Sequence, residues 1–269
     1  MRGPLHKFYA DRGTHLAAMI AYFALLSFVP LVFLAFALLG LAGRANESSY
    51  LVTELKKAFP GSSISSIAHA VRTIQRNAAT LGIIGGVTLL WASLSLFSAL
   101  ESALNIVYGR PNRPFLRGKA LAVAFMVASV VTLFVGLLIG SIGFDVLKRF
   151  APGFIGNSYV AYSLSVLVST LAVFLFLIVV YYRLTNVQLT FAEVLPGTIV
   201  ATVALEATFQ VLPLYLRFSN HVLALQAFGG PAILLVWLYV MANVIVFGAE
   251  VNWWRTQKRN ETSAASGLA

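Results

Sequence analysis

The sequence lacks cysteine and is poor in charge, in acids and in histidine. Charged residues make up 10% of the 269 residues, against about 25% in an average soluble domain. Without cysteine, disulfide bonds and thiol chemistry are excluded. The four histidines are scattered, with no pair at the spacing of metal ligands. A phosphate-binding loop and a nucleophile elbow are also missing. We therefore predict no catalytic residues, no metal site, no cofactor and no enzymatic activity.

Apolar residues dominate what remains, at 59% of the chain. Such a chain has to place most of its surface in lipid, where a crossing helix needs about 20 apolar residues. The sequence predicts an all-α, polytopic integral membrane protein that forms a single membrane domain over residues 1–269. Six transmembrane helices are predicted at about 15–42, 81–108, 120–147, 159–182, 191–216 and 229–254.

The polar segment 43–80, between the first two spans, is predicted to form two short amphipathic helices. It breaks at Pro60-Gly61, after which Ile64, Ile67, Val71 and Ile74 share one helical face. This extracytoplasmic insertion either caps the bundle or offers a partner site.

Basic residues predict the orientation in the membrane. Of the Lys and Arg residues, 11 lie on the side of the two termini and 8 on the other side. Because cytoplasmic loops of membrane proteins carry an excess of Lys and Arg, both termini are predicted to be cytoplasmic. The loop 109–119 has four cations and no acid, and it is predicted to contact anionic headgroups rather than nucleic acid through Arg110, Arg113, Arg117 and Lys119.

The stretch Leu195 to Arg217, which includes most of the fifth span, carries a carboxylate near its centre. Thr198, Thr202, Glu206 and Gln210 recur every four residues, which predicts one slanting polar ridge on a helix. A charge at membrane depth is costly, so it normally faces the bundle interior, a partner or a water-filled path. Prolines occur in this span and in the first, and hinges are predicted at Pro30, Pro196 and Pro213.

Other polar residues extend this pattern into a predicted cleft that opens to the cytoplasm. Its predicted lining is Glu206, Gln210, Thr202, Glu101, Asn105, Asn243 and Glu250. In the alternative, each acid pairs with an arginine such as Arg110 or Arg255, or bonds a neighbouring helix and locks the packing. No span contains a Lys or Arg that could neutralise Glu206, which could alternatively be protonated, since burial disfavours the charged form.

Four stretches resemble the YihY/BrkB family of bacterial inner-membrane proteins, in the family's order and over most of the chain. They are AAMIAYFALLSFVPLVFLAF, ALESALNIVYGRPNRPFLRGK, FAEVLPGTIVATVALEATFQVLPLY and GGPAILLVWLYVMANVIVFGAEVN. One departure is GG before the sixth span, where many relatives have Tyr-Gly. Positions that match the family pattern are Ser27, Pro30, Leu104, Asn105, Tyr108, Pro196, Gly197, Glu206, Tyr215, Gly248 and Glu250.

The resemblance implies a multi-pass protein of the bacterial inner membrane. The family was once labelled ribonuclease BN, a label widely regarded as a misassignment, and some members are linked to serum resistance and to movement of lipids or lipopolysaccharide precursors. The first hypothesis is therefore a transporter or lipid-handling protein whose partners are the bilayer and an anionic lipid or lipopolysaccharide precursor. The alternative is a structural envelope-integrity protein, and a ribonuclease is the least favoured hypothesis. Glycine pairs at 82/86 and 136/140 are compatible with a homo-oligomer.

Overall fold

The structure is a computed structural model that describes residues 3–41, 78–129, 131–132, 158–219 and 230–266. These residues form helices joined by short turns, so the predicted all-α class is confirmed for the described part of the chain. The helices are α1 (Pro4–Ala10), α2 (Gly13–Leu41), α3 (Ala78–Val107), α4 (115–129), α5 (Ser158–Leu184), α6 (Phe191–Ser219) and α7 (Gly230–Ser266).

Within the described ranges, four stretches are long and apolar enough to cross a membrane. They are Leu90–Val107, Val166–Leu184, Phe191–Val211 and Pro231–Glu261. A shorter apolar stretch, Gly13–Phe28, lies in α2. The total of six spans stays a prediction, because the third predicted span is described only as far as residue 132.

The predicted amphipathic insertion lies outside the described residues apart from its last three. Those three, 78–80, begin α3. The helix that contains the second predicted span therefore starts three residues before the predicted boundary at 81. The glycine pair at 136/140 also lies outside the described residues. α2 continues through Pro30, and α6 continues through Pro196 and Pro213, so a hinge at these prolines stays a prediction.

The helices pack around α2 and α7, with α5 on the outside. α2 packs along α3 and α7, α7 packs along α6, and α5 packs mainly on α6. Only 17% of the span Val166–Leu184 in α5 is buried inside the protein, against 56% of Leu90–Val107 in α3. The outer face of α5 exposes a row of leucines, at 167, 171 and 175, as expected of a surface that contacts lipid tails.

Two glycines allow α6 and α7 to cross closely. A Cβ atom on Gly197 would overlap the carbonyl oxygen of Gly248, and one on Gly248 would overlap the hydroxyl of Tyr181. The backbone N–H of Gly197 donates to Asn252 Oδ1 at 2.6 Å. Tyr181 in α5 donates to the carbonyl of Ile245 at 2.7 Å. This crossing therefore fixes α5, α6 and α7 relative to one another at one level of the bundle.

The short helix α1 folds back onto the same end of the bundle. Arg12 has a φ of 55°, a left-handed conformation that reverses the chain between α1 and α2. Phe8 is buried and meets the ring of Phe247 edge to face, at 6.0 Å between centroids. α1 thereby covers part of α7. We call this end, formed by α1, the loops 108–114 and 185–190 and the last turns of α7, the basic end.

Candidate functional site

The carboxylate of Glu206 lies where α5 and α6 meet. Ser169 Oγ in α5 donates to Glu206 Oε2 at 3.3 Å, and Gln210 Nε2 donates to Glu206 Oε1 at 3.3 Å. We call these three residues the α5–α6 seam. Both donors are neutral, and Glu206 forms no ion pair with any residue that the structure describes.

The seam lies within the apolar span Phe191–Val211 and is open to the outside of the bundle. Glu206 comes 15 residues after Phe191, the first residue of α6, which is about 22 Å along a helix in a hydrocarbon core of about 30 Å. Glu206 is only partly buried and Gln210 is exposed. Val203 and Ile199, one and two turns away on the same side of α6, are 64% and 48% exposed. A ligand could therefore reach this carboxylate from the lipid side.

The polar ridge predicted along α6 divides into two parts. Thr198 and Thr202 are buried, and Thr198 Oγ1 donates to the carbonyl of Val194 within its own helix. Four residues turn a helix by about 400°, so such a ridge drifts by about 40° at each step. Over the three steps from Thr198 to Gln210 the drift is about 120°. The two threonines therefore face the protein interior, while Glu206 and Gln210 face the seam.

Glu101 is buried at the end of α3 and is paired with an arginine of the following loop. Its Oε1 accepts hydrogen bonds from the backbone N–H of Arg113 at 3.2 Å and from Arg113 Nη1 at 3.1 Å. The same guanidinium donates to three carbonyls at the end of α5, those of Arg183, Leu184 and Thr185. Such a contact satisfies carbonyls that a helix end leaves open. Arg113, predicted to contact lipid headgroups, is thus directed into the protein.

Asn105, one turn after Glu101, joins two loops at the basic end. Its Nδ2 donates to Asn112 Oδ1 at 3.0 Å, and its Oδ1 accepts from the backbone N–H of Asn186 at 2.7 Å. Asn186 Nδ2 in turn donates to the carbonyl of Pro111 at 3.0 Å. Asn105 is fully buried, so its role in the described structure is to hold the loops 108–114 and 185–190 together.

Glu250 in α7 is fully buried and pairs with a lysine from α1. The distance from Glu250 Oε2 to Lys7 Nζ is 3.0 Å. Lys7 Nζ donates hydrogen bonds to Asp11 and, at 2.7 Å, to the carbonyl of Val107, and it lies 4.3 Å from the ring centroid of Trp253. We call these five residues the Lys7 cluster. It connects α1, α3 and α7.

Asn243, which was predicted to line the cleft, and a further acid of α6, Glu193, also have local partners. Asn243 Nδ2 donates to the carbonyl of Tyr239, one turn earlier in α7. Glu193 Oε2 accepts from the backbone N–H and the hydroxyl of Thr190, at 2.8 and 3.0 Å, which is a capping box at the start of α6. Its other oxygen accepts from Arg259 at 2.6 Å.

The contacts do not bring the seven predicted cleft residues to one opening. Glu101, Glu193 and Glu250 are paired, as the alternative hypothesis expected, but with Arg113, Arg259 and Lys7 rather than with Arg110 or Arg255. Glu206 and Gln210 form a separate site with Ser169. Sequence reasoning missed Lys7 and Ser169; the available signals were the i, i+4 spacing of Lys7 and Asp11 and the serines within the fourth span.

These features define the class of protein: a helical membrane protein with a carboxylate on a seam inside its apolar span. The chain matches the family model "Virulence factor BrkB" over residues 5–268. It belongs to the BrkB family, and the resemblance found in the sequence is confirmed.

Two relatives illustrate the family. YfkH of Bacillus subtilis, which is named as ribonuclease-like, is 27% identical over 91% of this chain and 91% of its own. A UPF0761 membrane protein of Pseudoalteromonas translucida is 29% identical over 90% of this chain and 80% of its own. No solved structure matches the chain.

Proposed function

We propose that this protein is a transporter or lipid-handling protein, and that the polar part of an amphipathic cargo passes along the α5–α6 seam. The observation that carries the proposal is Glu206, a carboxylate about 22 Å along α6 that has two neutral hydrogen-bond donors and no cation among the described residues.

The chemistry of the seam suits such a cargo. Ser169 and Gln210 orient the carboxylate but leave its negative charge uncompensated, so it can bind a proton or the ammonium group of a headgroup. Exposed aliphatic side chains on the same side of α6, Val203 and Ile199, offer an apolar surface on which acyl chains can lie. The cargo class that combines both requirements is a lipid or a lipid-linked precursor, such as a lipopolysaccharide precursor.

We place the protein in the bacterial inner membrane with the basic end in the cytoplasm. In the described residues this end and the adjoining turns of α4 and α5 carry ten lysines and arginines: Lys7, Arg12, Arg110, Arg113, Arg117, Lys119, Arg183, Arg255, Lys258 and Arg259. The positive-inside rule supports this orientation.

The test is Glu206→Gln in purified protein reconstituted into vesicles that contain a fluorescent lipid. The amide keeps the shape of the side chain but removes its charge, and a charge-assisted contact contributes roughly 1.5–3 kcal/mol, so transfer is expected to slow about tenfold or more. Elution volume and thermal melting should stay close to those of the parent protein. Glu261→Gln, at an exposed carboxylate near the end of α7, is the matched control. Equal transfer rates in both variants and the parent would refute the role of Glu206.

A second candidate function is structural, an envelope-integrity protein that moves no cargo. The paired acids Glu101, Glu193 and Glu250 favour it, because each connects different segments of the chain. On this hypothesis Glu206 also serves packing, and Glu206→Gln lowers the melting temperature while vesicles of the parent protein show no lipid transfer above protein-free vesicles.

A further inference from the structure

An open pocket lies at the basic end, beside the loop that joins α5 to α6. Its volume is about 580 Å³, within the roughly 300–1,000 Å³ typical of small-molecule sites. Its walls come from the loop 108–114, the start of α4, the end of α5 and the loop after α5. Its lining residues are Arg113, Arg117, Leu121, Tyr182, Arg183, Thr185, Val187, Gln188 and Leu189. We call it the arginine pocket. Among its described lining residues three are cations and none is an acid, so its potential favours an anion.

The three arginines have different tasks. Arg113 donates hydrogen bonds to Glu101 and to three backbone carbonyls. Its guanidinium is therefore fixed in position, and most of its N–H donors are already used. Arg117 and Arg183 are exposed, and neither forms an ion pair within the described ranges. The carbonyl of Arg183 accepts one of the hydrogen bonds from Arg113 at 2.9 Å, which fixes the backbone that carries the Arg183 side chain.

Two guanidinium groups in one pocket that have no carboxylate partner among the described residues favour a phosphoryl group, and that of Arg183 lies 5.5 Å from the ring centroid of Tyr182. A guanidinium presents a planar fork of donors that matches two phosphate oxygens, and two forks can serve all the oxygens of a phosphate ester. The side-chain amide of Gln188 adds another donor on the same wall. Leu121, Val187 and Leu189 supply an apolar part of the lining, against which the alkyl part of an ester can rest.

The surroundings place the pocket at the level of the membrane surface. Phe115 and Leu116, just before Arg117, are 74% and 80% exposed, and Phe191 at the start of α6 is 62% exposed. The ring of Phe191 stacks on Tyr182 of the pocket wall, with centroids 4.6 Å apart. A tyrosine such as Tyr182 next to arginines is typical of the boundary between hydrocarbon and water, where lipid phosphates lie.

We propose that the arginine pocket binds a phosphoryl group, as a phosphomonoester or phosphodiester, through Arg117 and Arg183. The group has two sources, the headgroup of a lipid or a free phosphate from the aqueous phase. The site is distinct from the α5–α6 seam, and the inference stands even where no cargo moves, because it concerns binding alone.

The test compares the full-length protein with Arg117→Gln/Arg183→Gln and with a control, Arg110→Gln/Arg255→Gln. Each double variant removes two charges from the basic end, but the control changes arginines that do not line the arginine pocket. In the first arm, native mass spectrometry measures binding of dioctanoyl phosphatidic acid and dioctanoyl phosphatidylglycerol in neutral detergent. In the second arm, calorimetry measures binding of inorganic phosphate and glycerol phosphate.

The pocket variant is expected to bind at least about tenfold more weakly in whichever arm shows binding, because two charge-assisted contacts are lost. The control is expected to stay within about threefold of the parent, since it changes only the general field. Binding in the first arm alone assigns the lipid headgroup, and binding in the second arm assigns the free phosphate. The proposal is overturned when neither arm shows binding, or when the two double variants lose affinity equally. Should the pocket variant not fold, Arg117→Gln alone repeats the comparison, because Arg117 is exposed.

Discussion

Removing the cation of the Lys7 cluster, with Lys7→Met, is expected to destabilise the protein strongly. Methionine keeps much of the aliphatic length of lysine but leaves Glu250, which is fully buried, without the ammonium group that lies 3.0 Å from its Oε2. The change also removes the hydrogen bond to the carbonyl of Val107 at 2.7 Å. Removing one partner of a buried ion pair lowers the free energy of unfolding by about 3–5 kcal/mol. Since the Lys7 side chain is 16% exposed, the lower end, about 3 kcal/mol, is expected.

The double variant Lys7→Met/Glu250→Gln separates the ion pair from the rest of the cluster. Glu250→Gln alone leaves Lys7 bound to Asp11 and Val107 and is expected to cost about 1–2 kcal/mol. Because the double variant contains no unpaired buried charge, it should be more stable than Lys7→Met by at least about 1 kcal/mol. Steric-trapping or denaturant titration in bicelles measures each free energy of unfolding. Arg110→Met, at an exposed arginine, is the control and should stay within about 0.5 kcal/mol of the parent.

Two outcomes would contradict this reasoning about Lys7. One is a Lys7→Met variant as stable as the Arg110→Met control. The other is strict additivity in the double variant, which would mean that Lys7 and Glu250 contribute to stability independently of each other.

Two further predictions concern packing at the basic end. Gly197→Ala places a methyl group on the carbonyl of Gly248 and is expected to cost about 3 kcal/mol or more, as strong overpacking does; a melting temperature in detergent equal to that of the parent would contradict the close crossing. Arg113→Lys keeps the charge but loses the fork that reaches Glu101 and the three carbonyls at the end of α5. Limited proteolysis should then cut the loops 108–114 and 185–190 faster than in the parent, and an unchanged cleavage rate would show that the fork is dispensable.

The class of fold follows from composition, but the partners of the polar residues do not. Long apolar runs fix helices in lipid, because backbone groups there have to bond within their own segment. The pairing of Glu250 with Lys7 depends on a chain reversal at Arg12 that brings α1 onto α7. The distance between Lys7 and Glu250 along the sequence gives no indication that they pair. The pairing of Glu101 with Arg113 is closer in sequence, but it depends on how the proline-containing loop 108–114 turns.

The candidate site was predicted in part, and the error came from treating four-residue spacing as one straight face. Glu206 and Gln210 lie next to each other because one helical step separates them, and Gln210 donates a hydrogen bond to Glu206. Thr198 and Thr202 were predicted to continue the same polar ridge, although the drift of about 40° per step turns them towards the interior. Ser169 was missed because which helix packs beside the fifth span is decided by tertiary packing. In the described structure α6 lies between α5 and α7, so its polar residues are divided between two neighbours.

The contrast between the acids gives Glu206 its significance. At the basic end, where cations are plentiful, Glu101, Glu193 and Glu250 each pair with one across segments of the chain, and a packing role explains them fully. Packing explains Glu206 less well, because Ser169 and Gln210 could bond an uncharged amide at that position equally well. A carboxylate adds a desolvation cost to such a contact without adding a hydrogen bond that glutamine lacks. Its presence on an exposed seam is therefore better explained by a ligand or proton that it binds than by the helix contact that it makes.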